Sequence, residues 1–232
     1  MIKEAIILAG GLGTRLQTVV NDVPKSMAPI NGVPFIGLVI NYLQSQGIQH
    51  FIFSLGYKSE MLINFIESEY PQLDKQYCIE EEPLGTGGAI MQACKKVNSE
   101  NVLVLNGDTL FKINLKSLSN LHVQKKADCT IALKEMFNIE RYGTVDMNNS
   151  NTVIAFTEKR FCQNGLINGG VYALNVKNFL KENLPEVFSF EKDYLERLFS
   201  IRAIFGLKYT THFIDIGIPE DYERAQIELT ET

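Results

Sequence analysis

Several chemistries lack their parts in this chain. Its three histidines, His50, His122 and His212, lie far apart and form no His-Glu-x-x-His pair, which excludes a zinc-hydrolase helix. Its four cysteines, Cys78, Cys94, Cys129 and Cys162, make no Cys-x-x-Cys and have no histidine at a ligand spacing. They read as reduced thiols in or near the core. No Ser-His-Asp or Cys-His set stands out. Basic residues are not in excess: 22 Lys and Arg face 27 Asp and Glu, a formal net charge of −5. A sequence-independent nucleic-acid binder is therefore not expected. A phosphate ligand would need a local cluster of cations and backbone amides. Long apolar runs are missing as well. After Met1-Ile2-Lys3-Glu4 the apolar stretch is only about six residues, short of a signal peptide and of the ~20 residues of a membrane span. A cytoplasmic location and no membrane partner are the expectation.

The 232 residues are 45% hydrophobic and 21% charged, the balance of a globular chain with one large domain over 1–232. Ala5-Ile6-Ile7-Leu8 is short, apolar and followed by glycines, the mark of a buried strand. Residues 35–46 have helical period, with Phe35, Leu38, Val39, Tyr42 and Leu43 on one face and Gly47 as the stop. Residues 51–55 form a second strand, Ser59 caps a helix carrying Met61, Leu62, Phe65 and Ile66, 87–97 form a further helix, and 102–105 the next strand. This alternation predicts an α/β fold with a parallel sheet covered on both faces. Ligands on such sheets bind beyond the carboxyl ends of the strands. That edge gathers Ala9 to Thr14, Gly56-Tyr57 and Asn106 to Thr109. The second half changes character, with strands over 129–133, 143–147, 153–157 and 170–174, helices over 175–183 and 192–199, a late strand over 210–214, and Pro219 opening a terminal helix. No linker divides the first half (1–125) from the second (126–232).

The first chemical cluster is Leu8-Ala9-Gly10-Gly11-Leu12-Gly13-Thr14-Arg15-Leu16. Glycines directly after a buried strand let the backbone bend and aim N–H groups at an anion. Leu16 stands where a Gly-x-Gly-x-x-Gly fingerprint needs its last glycine, and no Gly-Lys-Ser/Thr follows, so neither a Rossmann nor a Walker A loop is present. Arg15 supplies a planar fork for phosphate oxygens. Lys25, stiffened by Pro24, adds a second cation. Asp108 follows a buried strand and Asp215 ends another. Alone, each aspartate reads as a turn or cap. As a pair at two strand ends they suit magnesium, which takes one or two carboxylates plus phosphate oxygens and water.

Gly-Gly-x-Gly-Thr-Arg-Leu followed by Pro-Lys resembles the sugar-1-phosphate nucleotidyltransferase family. Five further segments agree in order: Glu82 to Ala89, Asn106-Gly107-Asp108-Thr109, Phe156-Thr157-Glu158-Lys159, Asn168 to Tyr172, and Asp215 to Tyr222. The resemblance spans nearly the whole chain. It implies a three-layer α/β/α (Rossmann-like) nucleotidyltransferase with a mixed, mostly parallel sheet, joining a nucleoside triphosphate to a sugar 1-phosphate and releasing pyrophosphate. Carried over residue by residue, Arg15, Lys25 and Asp108 are catalytic and Asp108 and Asp215 hold Mg2+. Leu8, Ala9, Gly10, Gly11, Gly13, Thr14, Glu80, Gly85, Thr86 and Gly107 meet the nucleotide. Tyr142, Gly143, Glu158, Lys159, Asn168 and Gly169 meet the sugar phosphate. Such chemistry requires no general base, because a sugar 1-phosphate is already an anionic nucleophile at neutral pH. A glycosyltransferase on a similar sheet would show Asp-x-Asp, whereas Asn106-Gly107-Asp108 has one carboxylate.

Many uridylyl- and thymidylyltransferases of this kind carry Gln three residues before the proline, where Glu80 stands before Pro83. An ionised carboxylate only accepts hydrogen bonds. Uracil and thymine present one N–H between two carbonyls, whereas guanine presents adjacent N1–H and N2–H donors. GTP is the expected donor. The Val-Pro-Lys-x-Met-Ala-Pro and Pro-Leu-Gly-Thr-Gly-Gly-Ala-Ile patterns most resemble the D-glycero-D-manno-heptose 1-phosphate guanylyltransferases, enzymes of surface polysaccharide and capsule synthesis. Alternatives in the same class are uridylyl, thymidylyl or cytidylyl transfer, or mannose-1-phosphate guanylyl transfer. A non-catalytic nucleotide-sugar-binding subunit is the rival from another class. A homodimer is the expected assembly for an enzyme of this size.

Overall fold

In the computed structural model the described residues are 1–11, 13, 15–16, 19–20 and 22–229. The chain runs through β1 (Glu4–Ala9), a 3-10 turn (Lys25–Met27), the short pair β2 (Pro29–Ile30) and β3 (Val33–Pro34), α1 (Phe35–Ser45), β4 (His50–Leu55), α2 (Ser59–Glu69), β5 (Asp74–Ile79), α3 (Gly85–Cys94) and β6 (Asn101–Asn106). It continues with β7 (Thr109–Phe111), α4 (Leu115–Lys125), β8 (Cys129–Ile139), β9 (Thr144–Met147), β10 (Val153–Thr157), β11 (Cys162–Asn175), α5 (Val176–Phe179), a π-helical stretch (Phe190–Glu196), β12 (Ile204–Tyr209), β13 (Phe213–Asp215) and α6 (Pro219–Glu228).

The main sheet is mixed, in the order β10-β9-β11-β6-β1-β4-β5, with β8 also on β11 and β12 on β8. β1 lies between β4 and β6, parallel to both. Strands buried on both faces must be apolar throughout, which is what Ala5-Ile6-Ile7 supplies. Ala5 and Ile7 join the apolar cluster of Phe35, Ile36 and Leu43 from α1, whereas Ile6 joins that of Ile90 and Ala93 from α3. Helices thus cover both faces, giving the three layers and the α/β class expected. Each fully buried Leu, Ile or Phe contributes roughly 1.5–3 kcal/mol.

The structure corrects several element boundaries. Ser59 does not cap α2; Lys58 holds the cap position with φ 52° and no side-chain cap bond forms. The third helix starts at Gly85, not Gly87. The segment expected as a helix over 175–183 keeps four helical residues, capped by the Asn175 side chain on the Asn178 N–H. The helix expected over 192–199 begins as the π-helical stretch. Residues 170–174 are only the end of β11, 14 residues long. Of the late strand expected over 210–214, only Phe213 and Ile214 are strand, in β13, because β12 ends at Tyr209 and 210–212 connect the two. β5 has too few apolar residues to be read as a strand. Its burial comes from tertiary contacts, with Tyr77 stacked on Phe53. Among the described residues no helix is long and apolar enough to cross a membrane.

Candidate active site

β1, β4 and β6 end together at one sheet edge. The glycine loop follows the end of β1. Gly13 adopts φ +62°, and a Cβ there would lie 2.8 Å from Lys25 Cβ. Only glycine allows the loop to press against Lys25 in this way. At the end of β6, Gly107 donates its N–H to the Leu8 carbonyl at 2.8 Å. These contacts bring the loop, Lys25 and Asp108 to one place.

Asp215 arrives there through the ribbon formed by β7 and β13. Its register sets Asp215 opposite Thr109, and the Ile216 N–H donates to the Asp108 carbonyl at 3.0 Å. Two aspartates 107 positions apart thereby share one turn. Lys25 Nζ donates to Asp108 Oδ2 and lies 3.8 Å from Asp215 Oδ1. Thr109 Oγ1 donates to Asp108 Oδ1 at 3.1 Å, and the Gly217 N–H donates to Asp215 Oδ1 at 2.7 Å. Burial, and then the charge of Asp108, push the Asp215 carboxyl above its ordinary value, against the pull of Lys25 and the Gly217 N–H.

This arrangement trades stability for charge. A carboxyl with a raised folded pKa favours the folded state fully only below its ordinary pKa, and that contribution is lost as pH rises through the folded value. At neutral pH the ionised Asp215 therefore weakens the fold. Asp215→Asn should raise the melting temperature of the ligand-free protein by about 2–4 °C at pH 7, with the gain shrinking as pH falls into the carboxylate range. A differential scanning experiment that found a lower melting temperature at pH 7 would reject this account.

Three adjoining hollows meet at this turn. A chamber of 200 Å³ is lined by Leu8, Ala9, Gly11, Gly13, Arg15, Lys25, Ser26, Gly107, Asp108 and Gly217. A second, of 700 Å³, shares Asp108 with it and adds Gly10, Ser54, Tyr57, Glu80, Pro83, Gly85 and Thr86. A third, of 390 Å³, shares Arg15 and Gly217 with the first and adds Tyr142, Gly143, Lys159, Asn168, Gly169 and Asp215. Nearly all residues singled out from the sequence therefore line one continuous cleft. Thr14 lies outside the described residues. Glu158 is exposed and does not line the third chamber; its neighbours Thr157 and Lys159 do.

Glu80 is held on the wall of the 700 Å³ chamber. Its Oε2 accepts the Leu84 N–H at 3.0 Å, and its Oε1 lies 2.7 Å from where a Gly10 Cβ would be. Thr86 is engaged inside the protein: its hydroxyl donates to Glu191 Oε2 at 2.7 Å and accepts the Phe190 N–H at 2.9 Å. Glu191 and Glu196, on the π-helical stretch, and Arg141 also line the 390 Å³ chamber. No motif pointed to these three. π-helical geometry is frequent at functional sites, but helical period gives no sign of it in sequence.

Asp108 and Asp215 offer hard oxygen donors, and the Lys25 ammonium already rests against both. Among the described residues no group of three or more His, Cys, Asp and Glu is placed to hold a metal. Two carboxylates beside an open phosphate-sized chamber fit a magnesium ion that completes its shell with phosphate oxygens and water, not an all-protein cage.

Residues 4–232 match the Nucleotidyl transferase family. The chain belongs to this family. It is 50% identical to the D-glycero-alpha-D-manno-heptose 1-phosphate guanylyltransferase of Aneurinibacillus thermoaerophilus, over 97% of this chain and 98% of that protein. It is 45% identical to the protein of the same name from Campylobacter jejuni, over 94% of this chain and 96% of that one. The crystal structure of HddC from Yersinia pseudotuberculosis complexed with GMP-PN superposes with a TM-score of 0.89 at 37% identity, covering 99% of this chain and 100% of that one. The fold expected from the sequence is therefore the fold of its relatives.

Proposed function

We propose that the protein transfers a guanylyl group from GTP to D-glycero-α-D-manno-heptose 1-phosphate, giving the nucleotide sugar and pyrophosphate. The observation that carries this reading is the convergence of three hollows on Lys25, Asp108 and Asp215. The 700 Å³ hollow takes the base and ribose, the 200 Å³ hollow the phosphates, and the 390 Å³ hollow the sugar phosphate. The relatives named above supply the choice of base and sugar.

The residues then have distinct tasks. Glycine-loop amides and Arg15 hold the β- and γ-phosphates. Lys25 faces the α-phosphate, where charge builds as the new bond forms. Lys159 neutralises the sugar phosphate, and Tyr142, Gly143, Asn168 and Gly169 shape the sugar pocket around it. Asp108 and Asp215 would hold Mg2+, which when bound supplies positive charge to the phosphates. The incoming phosphate oxygen is already ionised, so no side chain has to remove a proton. Rate is gained by holding two anions in line and compensating their charge. The need for a nucleoside triphosphate places the reaction in the cytoplasm.

Glu80 is assigned to guanine. A carboxylate fixed by the Leu84 N–H keeps lone pairs for the N1–H and N2–H pair. The test is pyrophosphate release from GTP, UTP, CTP, ATP and dTTP with a panel of sugar 1-phosphates. Wild type should work with GTP and the heptose 1-phosphate. Glu80→Gln should lower kcat/KM for GTP by about tenfold to a hundredfold, with UTP affected less. Release with UTP or dTTP but not GTP would reject the base assignment, and no release with any pair would reject the enzyme.

A further inference from the structure

We propose that Arg141 is a direct contact of the sugar-borne phosphate and that Asp221 is the residue that positions it. The inference rests on the reaction proposed above and adds a cation that none of the sequence motifs contains.

Arg141 lies in the turn between β8 and β9, just before Tyr142-Gly143, and lines the same chamber as Lys159 and Asp215. Its Nη2 donates to Asp221 Oδ2 at 2.6 Å, and its guanidinium carbon lies 5.8 Å from the centre of the Tyr142 ring. Two sides of the planar group are thus fixed, by a carboxylate and by an aromatic ring. The structure gives it no other hydrogen bond among the described residues. A guanidinium has five N–H donors, so the remaining edge is available to the cleft. The side chain is 47% exposed, open to a solute.

Asp221 is the unusual partner. Its side chain is only 6% exposed. It stands in the first turn of α6, where an acid is favoured by the helix dipole, and that place alone would explain an exposed aspartate. Here the carboxylate turns inward and divides its oxygens, Oδ2 to Arg141 and Oδ1 to Arg224 Nη1 at 3.0 Å. Arg224 is also paired with Glu228 at 3.2 Å. A carboxylate shared between two guanidiniums compensates only part of the charge of Arg141. A half-exposed ion pair contributes little to stability, whereas a guanidinium held by a buried carboxylate is preorganised for a phosphate. Lys159 presents a point charge; Arg141 adds the fork that fixes orientation. The two phosphates of the reaction repel each other, and a cation on the sugar side lowers that repulsion in a chamber that Lys25 does not line.

The experiment is steady-state kinetics of Arg141→Gln, Arg141→Lys and Asp221→Asn, varying the sugar 1-phosphate at saturating GTP and then the reverse. Arg141→Gln should raise the KM for the sugar 1-phosphate about tenfold to a hundredfold, with little change in the KM for GTP. Arg141→Lys should recover part of the loss, and Asp221→Asn should raise the same KM by a smaller factor. An unchanged sugar-phosphate KM in Arg141→Gln, or an equal rise for both substrates, would overturn the inference. A lower melting temperature with both KM values intact would make Arg141 a structural ion pair only and would also overturn it. Turnover by the wild type tests the reaction separately. If another sugar 1-phosphate of the panel proves to be the substrate, the same comparison is made with it.

Discussion

Asp108→Asn should abolish nearly all turnover while leaving the fold intact. Asparagine keeps the shape of the side chain and one carbonyl oxygen, so Thr109 Oγ1 retains an acceptor in place of Asp108 Oδ1. What is lost is the charge beside Lys25 and the second carboxylate of the pair with Asp215. Charge stabilisation of this kind contributes several kcal/mol to a phosphoryl transfer, so kcat should fall by about a thousandfold or more. Removing one of two like charges also relieves the pressure on Asp215, whose carboxyl is raised in part by Asp108. The melting temperature at pH 7 should therefore hold or rise. Pyrophosphate release together with a thermal melt decides the matter. Turnover within tenfold of wild type would remove Asp108 from the reaction, whereas loss of both activity and cooperative melting would show that it serves the fold.

Lys25→Met should have the next largest effect, and the opposite effect on stability. The Lys25 side chain is 11% exposed and its ammonium lies against both aspartates. Methionine preserves the length and apolar body of the side chain and deletes the charge. Loss of one preorganised donor at a developing oxyanion costs about 10²–10³ in kcat. The two carboxylates would then face each other without a cation, so the ligand-free protein should melt earlier. Because like charges are relieved when one group takes up a proton, the deficit should be larger at pH 8 than at pH 5. Measuring kcat and melting at both pH values separates the roles. A deficit equal at the two pH values would mean that Lys25 acts through packing, and an unchanged kcat would exclude it from the chemistry.

Much of this site was legible because its residues sit where local rules operate. Glycines after an apolar run mark a strand end whatever the rest of the fold. Arg15 and Lys25 fall within one loop-sized stretch, and Asp108 follows directly on β6. Glu158 and Lys159 show the limit of that reasoning. Neighbours at a strand end point in different directions, and only Lys159 lines the cleft. Arg141 and Glu191 were invisible because each joins the site through a partner distant in sequence: Arg141 through Asp221, Glu191 through Thr86. The bland composition of β5 hid that strand for a related reason, since its pairing with β4 and not periodicity holds it.

The sequence by itself determined the α/β alternation, the glycine loop and the identity of the charges available for phosphates. These depend on backbone preferences and on apolar periods of two and 3.6 residues, which act over a few positions. Only the tertiary structure decided which charges meet. The β7–β13 ribbon sets Asp215 beside Asp108, the inward turn of Asp221 holds Arg141, and the Thr86–Glu191 bond ties the wall of the 700 Å³ hollow to that of the 390 Å³ hollow. Each pairs residues 80 or more positions apart. Such pairs are selected by the packing of the whole core, which no local pattern encodes.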